Sequence, residues 1–332
     1  MKKLVSLLLV FVMVFAFASC GKKTETEVPQ NTGEPTVKAN VFMISGPTGI
    51  GAVNLMQADE LGSAKGDYDF TVVTTPTEIV AKISNKEADI AAVATNMAST
   101  IYNKTNGGVT VLAVNTLGVL NVLTNGTEIN SLADLKGKKV YTTGQGANPE
   151  YVIDYLLTKN GINPDTDLDL QFKAEGTELV TVWATEPEAV IIAPQPVATS
   201  IISKYEGSKI VIDLTDEWDK VGDDSALMMG CVIVRNEFLK AHPATVKLFL
   251  EEYEESIKKT NSDVEGTATL CEKYGIVAKA ALAKRAIPAS NVCFVTGSEM
   301  KTKLSGYLAV LFAADKKAVG GKLPADDFYY EG

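Results

Sequence analysis

The residues able to do chemistry in this chain are mostly hydroxyls and amides, and they fall in short loops. They are Ser45, Gly46, Pro47 and Thr48; Thr74 and Thr75; Thr95 and Asn96; Asn115 and Thr116. A second group comprises Gly144, Gln145, Ala147, Asn148, Glu150, Glu175 and Gln195, with Met229 beside a later turn. Such groups hold a polar molecule by hydrogen bonds. As nucleophiles, serine and threonine need an adjacent base. His242 is the only histidine, in Lys240-Ala241-His242-Pro243 at a predicted helix start. That removes most histidine-based triads, acid–base pairs and metal sites. Gly46, Gly49 and Gly51 are spaced GxxGxG, and Gly144-Gln145-Gly146 lacks a third glycine, so no dinucleotide fingerprint forms. Asp223-Asp224 reads as a solvated acidic loop. The pattern is one of binding, with no catalytic constellation, metal or cofactor expected.

The four cysteines divide by position. Cys231 lies in the apolar run Met-Met-Gly-Cys-Val-Ile-Val and reads as a small buried hydrophobe. Cys271 and Cys293 could pair, which sequence alone does not decide. No CxxC occurs. The formal net charge of −10 disfavours nucleic-acid binding.

An internal repeat shows which elements must position the loops. The stretch from Phe70, FTVVTTPTEIVAKISNKEADIAAVATNMASTIYNK, aligns without a gap on LQFKAEGTELVTVWATEPEAVIIAPQPVATSIISK from Leu170. Thr77-Glu78 falls on Thr177-Glu178, Val80 on Val180, Ala98 on Ala198, Ile101 on Ile201 and Lys104 on Lys204. Each copy reads strand, loop, helix, strand, loop, helix. Ile79, Val80 and Ile83 mark one helix face, and Leu179, Val180 and Trp183 the other. Runs such as Ile90-Ala91-Ala92-Val93 and Val190-Ile191-Ile192-Ala193 suit parallel strands covered on both faces. Upstream the match continues at an offset of 99, Val41–Gly46 on Val140–Gln145.

Two such α/β units place a cleft between their strand ends, because ligands bind beyond the carboxyl ends of strands in open α/β sheets. The loops named above are those ends, with Thr95-Asn96 expected to face Gln195. Asn148-Pro149-Glu150 predicts a capped helix start, and Thr48 a second cap. Facing helix N-termini favour an anion. Glu150 and Glu175 would favour an amine, so the ligand's charge stays open. Arg235 and Arg285 are the only arginines, and neither lies in the repeat. Trp183 is expected in the core, Trp218 nearer the cleft, and Met228-Met229-Gly230 on its floor.

The N-terminus predicts export. Lys2 and Lys3 precede the apolar run Leu4–Ala18, and Phe17-Ala18-Ser19-Cys20-Gly21 resembles a lipoprotein cleavage motif. Residues 1–19 are read as a signal peptide, Cys20 as the lipidated residue, and 20–37 as a disordered polar tether. About 300 residues remain, enough for two lobes with separate cores.

With these motifs, the chain resembles the solute-binding proteins of ABC importers. More narrowly it looks like the NMT1/THI5-like group serving nitrate, alkylsulfonates, taurine and thiamine-pyrimidine precursors. GPTGIGAVNLM, EADIAAVATNMASTIYNK, SLADLKGKKV with its flanks, and MGCVIVRNEFLKAHPATVKLFLEEYEESI carry the likeness. The resemblance implies a two-lobed type II periplasmic-binding α/β fold, each lobe a mixed, mostly parallel sheet flanked by helices. Lobe 1 would be 38–117 and 221–332, and lobe 2 would be 118–220. It also implies a small-molecule solute, a membrane permease and a cytoplasmic ATPase as partners, with the chain itself a monomer held extracytoplasmically by Cys20. A membrane-receptor sensor and an enzyme of pyrimidine-synthesis type are the alternatives.

Overall fold

The computed structural model describes residues 36–221 and 224–332. Cys20, the predicted signal peptide and tether residues up to 35 lie outside the described residues, as do Gly222 and Asp223. No described helix is long and apolar enough to cross a membrane.

The chain begins with β1 (Ala39–Ile44), in which alternate residues enter opposite faces. Ala39, Val41 and Met43 join one apolar cluster, and Phe42 another. Helices α1 (Pro47–Ile50) and α2 (Val53–Glu60) follow, then β2 (Tyr68–Val73), α3 (Pro76–Ser84), β3 (Ile90–Ala94), α4 (Thr95–Lys104) and β4 (Val109–Thr116). Across a short crossover, β5 (Leu120–Thr124), β6 (Lys139–Thr143), α5 (Asn148–Lys159), β7 (Asp169–Lys173), α6 (Gly176–Leu179), β8 (Val190–Pro194), α7 (Val197–Lys204), β9 (Lys209–Asp213) and α8 (Leu214–Val221) build the second sheet and its helices. The chain returns through β10 (Gly230–Arg235), α9 (Asn236–Ala241), α10 (Pro243–Ser262), α11 (Val264–Lys273), α12 (Ala280–Ala286), β11 (Val292–Val295) and α13 (Gly297–Ala314).

The strand orders are β11-β4-β10-β3-β1-β2 and β7-β6-β8-β5-β9. In each sheet four strands run one way, β1, β2, β3 and β4 in one and β6, β7, β8 and β9 in the other, and the strand that the chain enters just after it crosses over runs against them: β10 in the first and β5 in the second. The repeat seen in the sequence is therefore a repeat of structure. Val41 pairs with Ile90 in β1–β3, and Val140 with Val190 in β6–β8. These are the offsets of 99 and 100 by which the two sequences align. Residues 91–100 and 191–200 also share one pattern of burial, position by position.

The second copy departs at its first helix. A full helix over Leu179, Val180 and Trp183 is expected, but α6 stops at Leu179 and only a 3-10 turn, Val182–Ala184, follows. Val180, Thr181 and Val182 are β-branched and lose side-chain freedom in a helix. Trp183 is buried as expected, its indole N–H donating to Ala189 O at 2.7 Å.

The expectation of separate cores is corrected. One cluster belongs to the first sheet alone and one to the second. A third is common to both, running from Ile79 and Ile101 through Leu227, Met228, Trp218 and Tyr307 to Val152 and Leu156. Tyr155, Trp218 and Tyr307 form its aromatic spine, with ring centroids 4.6 and 5.4 Å apart. Helix α13 closes this layer by touching both α4 and α5. The three downstream cysteines are free, so Cys271 and Cys293 do not pair, and Cys231 is fully buried as expected.

Arg235 ends β10 at the edge away from the crossover. Its Nη2 meets Asp89 Oδ1 at 2.7 Å and its Nε donates to Ala88 O at 2.9 Å, while Asp89 Oδ2 accepts from the backbone and side chain of Asn40. Both partners are nearly buried. Removing one charge strands the other, so Arg235→Met is expected to lower unfolding free energy by about 3 kcal/mol in urea titration. Its distance from the crossover predicts unchanged solute affinity.

Candidate functional site

The crossover 117–119 brings the same edge of each sheet together. β1, β2, β3 and β4 all end on one edge, where β10 begins opposite both Ala94 and Thr116. In the second sheet β6, β7, β8 and β9 end on the edge where β5 begins, opposite Pro194. Thr116 and Leu120 are the facing strand ends, and four residues span at most about 14 Å.

Backbone bonds fix this junction. Met229 N donates to Thr116 O at 3.0 Å, Thr95 N to Met229 O at 3.1 Å, and Gln195 N to Val119 O at 3.0 Å. Leu117 N donates to Asn291 O, and Asn291 Nδ2 to Gly118 O at 2.6 Å. Gln195 is thus tied to the crossover directly, and Thr95, its equivalent in the repeat, through Met229 to Thr116 at the crossover's start.

The predicted residues divide by what their side chains do. In the first sheet several are internal braces. Asn115, almost fully buried, donates to Thr48 O at 2.9 Å and to the Tyr253 hydroxyl at 2.8 Å, and Thr116 donates to Asn115 Oδ1 at 3.1 Å. Gly230 permits this approach, since a Cβ there would lie 2.7 Å from Thr48 Oγ1. Thr95 Oγ1 donates to Met228 O at 2.6 Å. Ser45 N bonds Val73 O, and Gly46 N bonds Ile276 O. Pro47 opens α1, and Asn96 and Met229 are half-buried. Thr74 and Thr75 are exposed beyond β2, the marginal strand of the sheet.

In the second sheet the acids are engaged locally. Glu150 Oε2 accepts from Gly146 N at 2.5 Å. Glu175 and Glu178 form a reciprocal capping box around α6. Gln145 is exposed, and Gly144 turns the loop with φ +84°. Two expected caps are corrected. Thr48 lies inside α1, whose cap position is Gly46. Asn148 is the first residue of α5, and Ala147 holds the cap position without a side-chain bond, because Pro149 falls one place further into the helix than expected.

Two of the predicted amides, both buried, remain incompletely paired. Asn148 is 5% exposed, and neither its Oδ1 nor its Nδ2 has a partner. Gln195 is 2% exposed. Its Oε1 accepts from Thr199 Oγ1 at 2.7 Å and Thr199 N at 3.3 Å, leaving Nε2 without a partner. Thr199 was not singled out from the sequence, although its spacing of four from Gln195 at a helix start is a usable signal. Arg285 was also missed as a bridge: its Nη1 donates to Ser203 Oγ on α7 at 2.8 Å. Trp218, expected near the cleft, is fully buried, with its indole N–H on Ser225 Oγ at 3.0 Å. A groove of about 980 Å³ lined by Asn125, Lys139 and Glu186 lies at the opposite edge of the second sheet and contains none of the predicted residues.

A family profile described as "ABC transporter, phosphonate, periplasmic substrate-binding protein" matches residues 58–186. No curated protein sequence matches the chain. An ABC transporter protein from Parabacteroides distasonis superposes with TM-score 0.74 at 20% identity, covering 88% of this chain and 98% of its own. The periplasmic aliphatic sulphonate binding protein of Escherichia coli does so with TM-score 0.70 at 12% identity, covering 90% and 92%. The alkanesulfonate-binding protein of Xanthomonas axonopodis pv. citri, bound to MOPS, gives 0.62 at 12% identity, covering 88% and 96%. The fold is that of a periplasmic substrate-binding protein. Within this fold, the pairing of two like sheets at one crossover is the feature that the repeat made visible.

Where α5 packs on α13, Asp154 lines a groove with Tyr155, Val310 and Ala313. Burial pushes its carboxyl up to about 6, and the charges of Glu150 and Asp165 add to this. A carboxyl raised in the folded state gives stability that is fully present below its unfolded value near 3.8 and lost as pH rises through about 6. Asp154→Asn is therefore expected to raise the melting temperature at pH 7 and leave it little changed at pH 3.5, as read by calorimetry at both pH values.

Proposed function

We propose that this chain is the solute-binding component of an ABC importer. It captures a small polar organic solute between the two facing sheet edges and delivers it to a membrane permease driven by an ATPase. Lobe 1 is 38–117 with 221–332, and lobe 2 is 118–220. Cys20 carries the lipid that holds the protein at the outer side of the membrane, after cleavage of residues 1–19. The observation that supports this most is the common edge. Both sheets present their strand ends to one crossover, and those ends carry Thr95, Asn96, Asn148 and Gln195. The likeness to proteins described as substrate-binding supports the same reading. Hinge motion about the crossover closes the lobes on the solute.

Thermal-shift screening of the purified chain against small acids, amines, sulfonates, phosphonates, amides and heterocycles tests this. A solute at one hundred times its Kd adds about 2.7 kcal/mol of stability, a rise of about 5 °C. Asn96→Ala or Gln195→Ala is expected to weaken that solute without unfolding the protein. Unchanged affinity in both variants would show that the cleft lies elsewhere.

A further inference from the structure

The buried amides say something about the solute that the family likeness does not. Asn148 and Gln195 lie just past the ends of β6 and β8, which are neighbours paired at Val140–Val190 and Tyr141–Ile191. Asn148 opens a helix of 12 residues, is 95% buried, and leaves both side-chain polar atoms without partners. Gln195 adds one further free amide NH2, because Thr199 fixes its oxygen.

A carboxamide always presents one acceptor beside one donor, whichever way it is flipped. Two amide NH2 groups and a helix N-terminus would suit an oxoanion. The oxygen of Asn148 would not, since an acceptor facing an anion is repelled and stays unpaired. Leaving a buried polar atom unpaired costs about 1–3 kcal/mol. Both arginines and the two acids of these loops are engaged elsewhere, and Lys173, at the end of β7, lies over the Tyr141 ring. Arg235 is bound to Asp89 at the far edge, and Arg285 to Ser203. Glu150 closes its own loop, and Glu175 caps α6.

We propose that the second-lobe half of the site recognises a neutral solute edge with an N–H donor next to an acceptor: a carboxamide, a lactam or an amino-heterocycle. Asn148 pairs with both atoms of that edge, as carboxamides do with adenine, and Gln195 Nε2 donates to a second acceptor. This rests on the solute-capture reading and narrows it, away from sulfonates and phosphonates.

The test uses the full chain in detergent and matched probes. Nicotinamide, cytosine and adenine form one set; nicotinate, propanesulfonate and methylphosphonate form the other. The neutral set is expected to raise the melting temperature and the anionic set to leave it unchanged. Asn148→Leu should weaken the neutral probes at least tenfold by calorimetric titration while the empty protein melts no lower, because the amide it removes has no partner. Should that variant fail to fold, Asn148→Ala and the selectivity of the unaltered chain decide the matter. Binding of the anions alone overturns the neutral-edge proposal and leaves solute capture standing. Full affinity of Asn148→Leu for the neutral probes does the same. Stabilisation by neither set removes the solute-capture reading, and this proposal with it.

Discussion

The molecule depends on the backbone between Thr116 and Leu120. A chain that leaves one sheet at the end of β4 and starts another with an antiparallel strand must set the two sheets edge to edge. The bonds from Met229 to Thr116, from Gln195 to Val119 and from Leu117 to Asn291 hold that arrangement from both sides. Gly118 is tightly enclosed, since a Cβ there would lie 2.2 Å from Thr215 Oγ1 and 2.6 Å from Leu227. The common edge follows from topology, because parallel strands entering from one side must all end on the other.

The junction is not a bare hinge between two independent bodies. The common apolar layer through Leu227, Met228, Trp218 and Tyr307 joins them. The proposed closure about the crossover would therefore slide packed surfaces, α5 on α13 and α7 on α12. The Arg285–Ser203 bond and the contact of Tyr151 with Asp315 at 3.4 Å lie on those two surfaces. The first is exposed and the second is long, so each is weak, which suits contacts that break and reform.

Much of this was legible in the sequence. The offset of 99 then 100 became the register of β1–β3 against β6–β8, because a parallel pairing fixes the separation between its strands. The strand-end loops were legible for the same reason. Which side chains stay free in those loops was not, because that depends on partners far along the chain. Asn115 looks like a solute ligand until Tyr253, 138 residues away, takes its N–H. Glu150 looks like a cleft acid until Gly146 folds back onto it. The common core was hidden because apolar periodicity gives the face of a helix and not the identity of what covers it.

Capture of a solute, as proposed, closes the two sheets about one crossover. Small-angle X-ray scattering tests that link most directly, comparing the protein alone with the protein saturated by the solute that raises its melting temperature. A smaller radius of gyration on binding is the predicted result. A bound solute that leaves the scattering curve unchanged would contradict closure about the crossover.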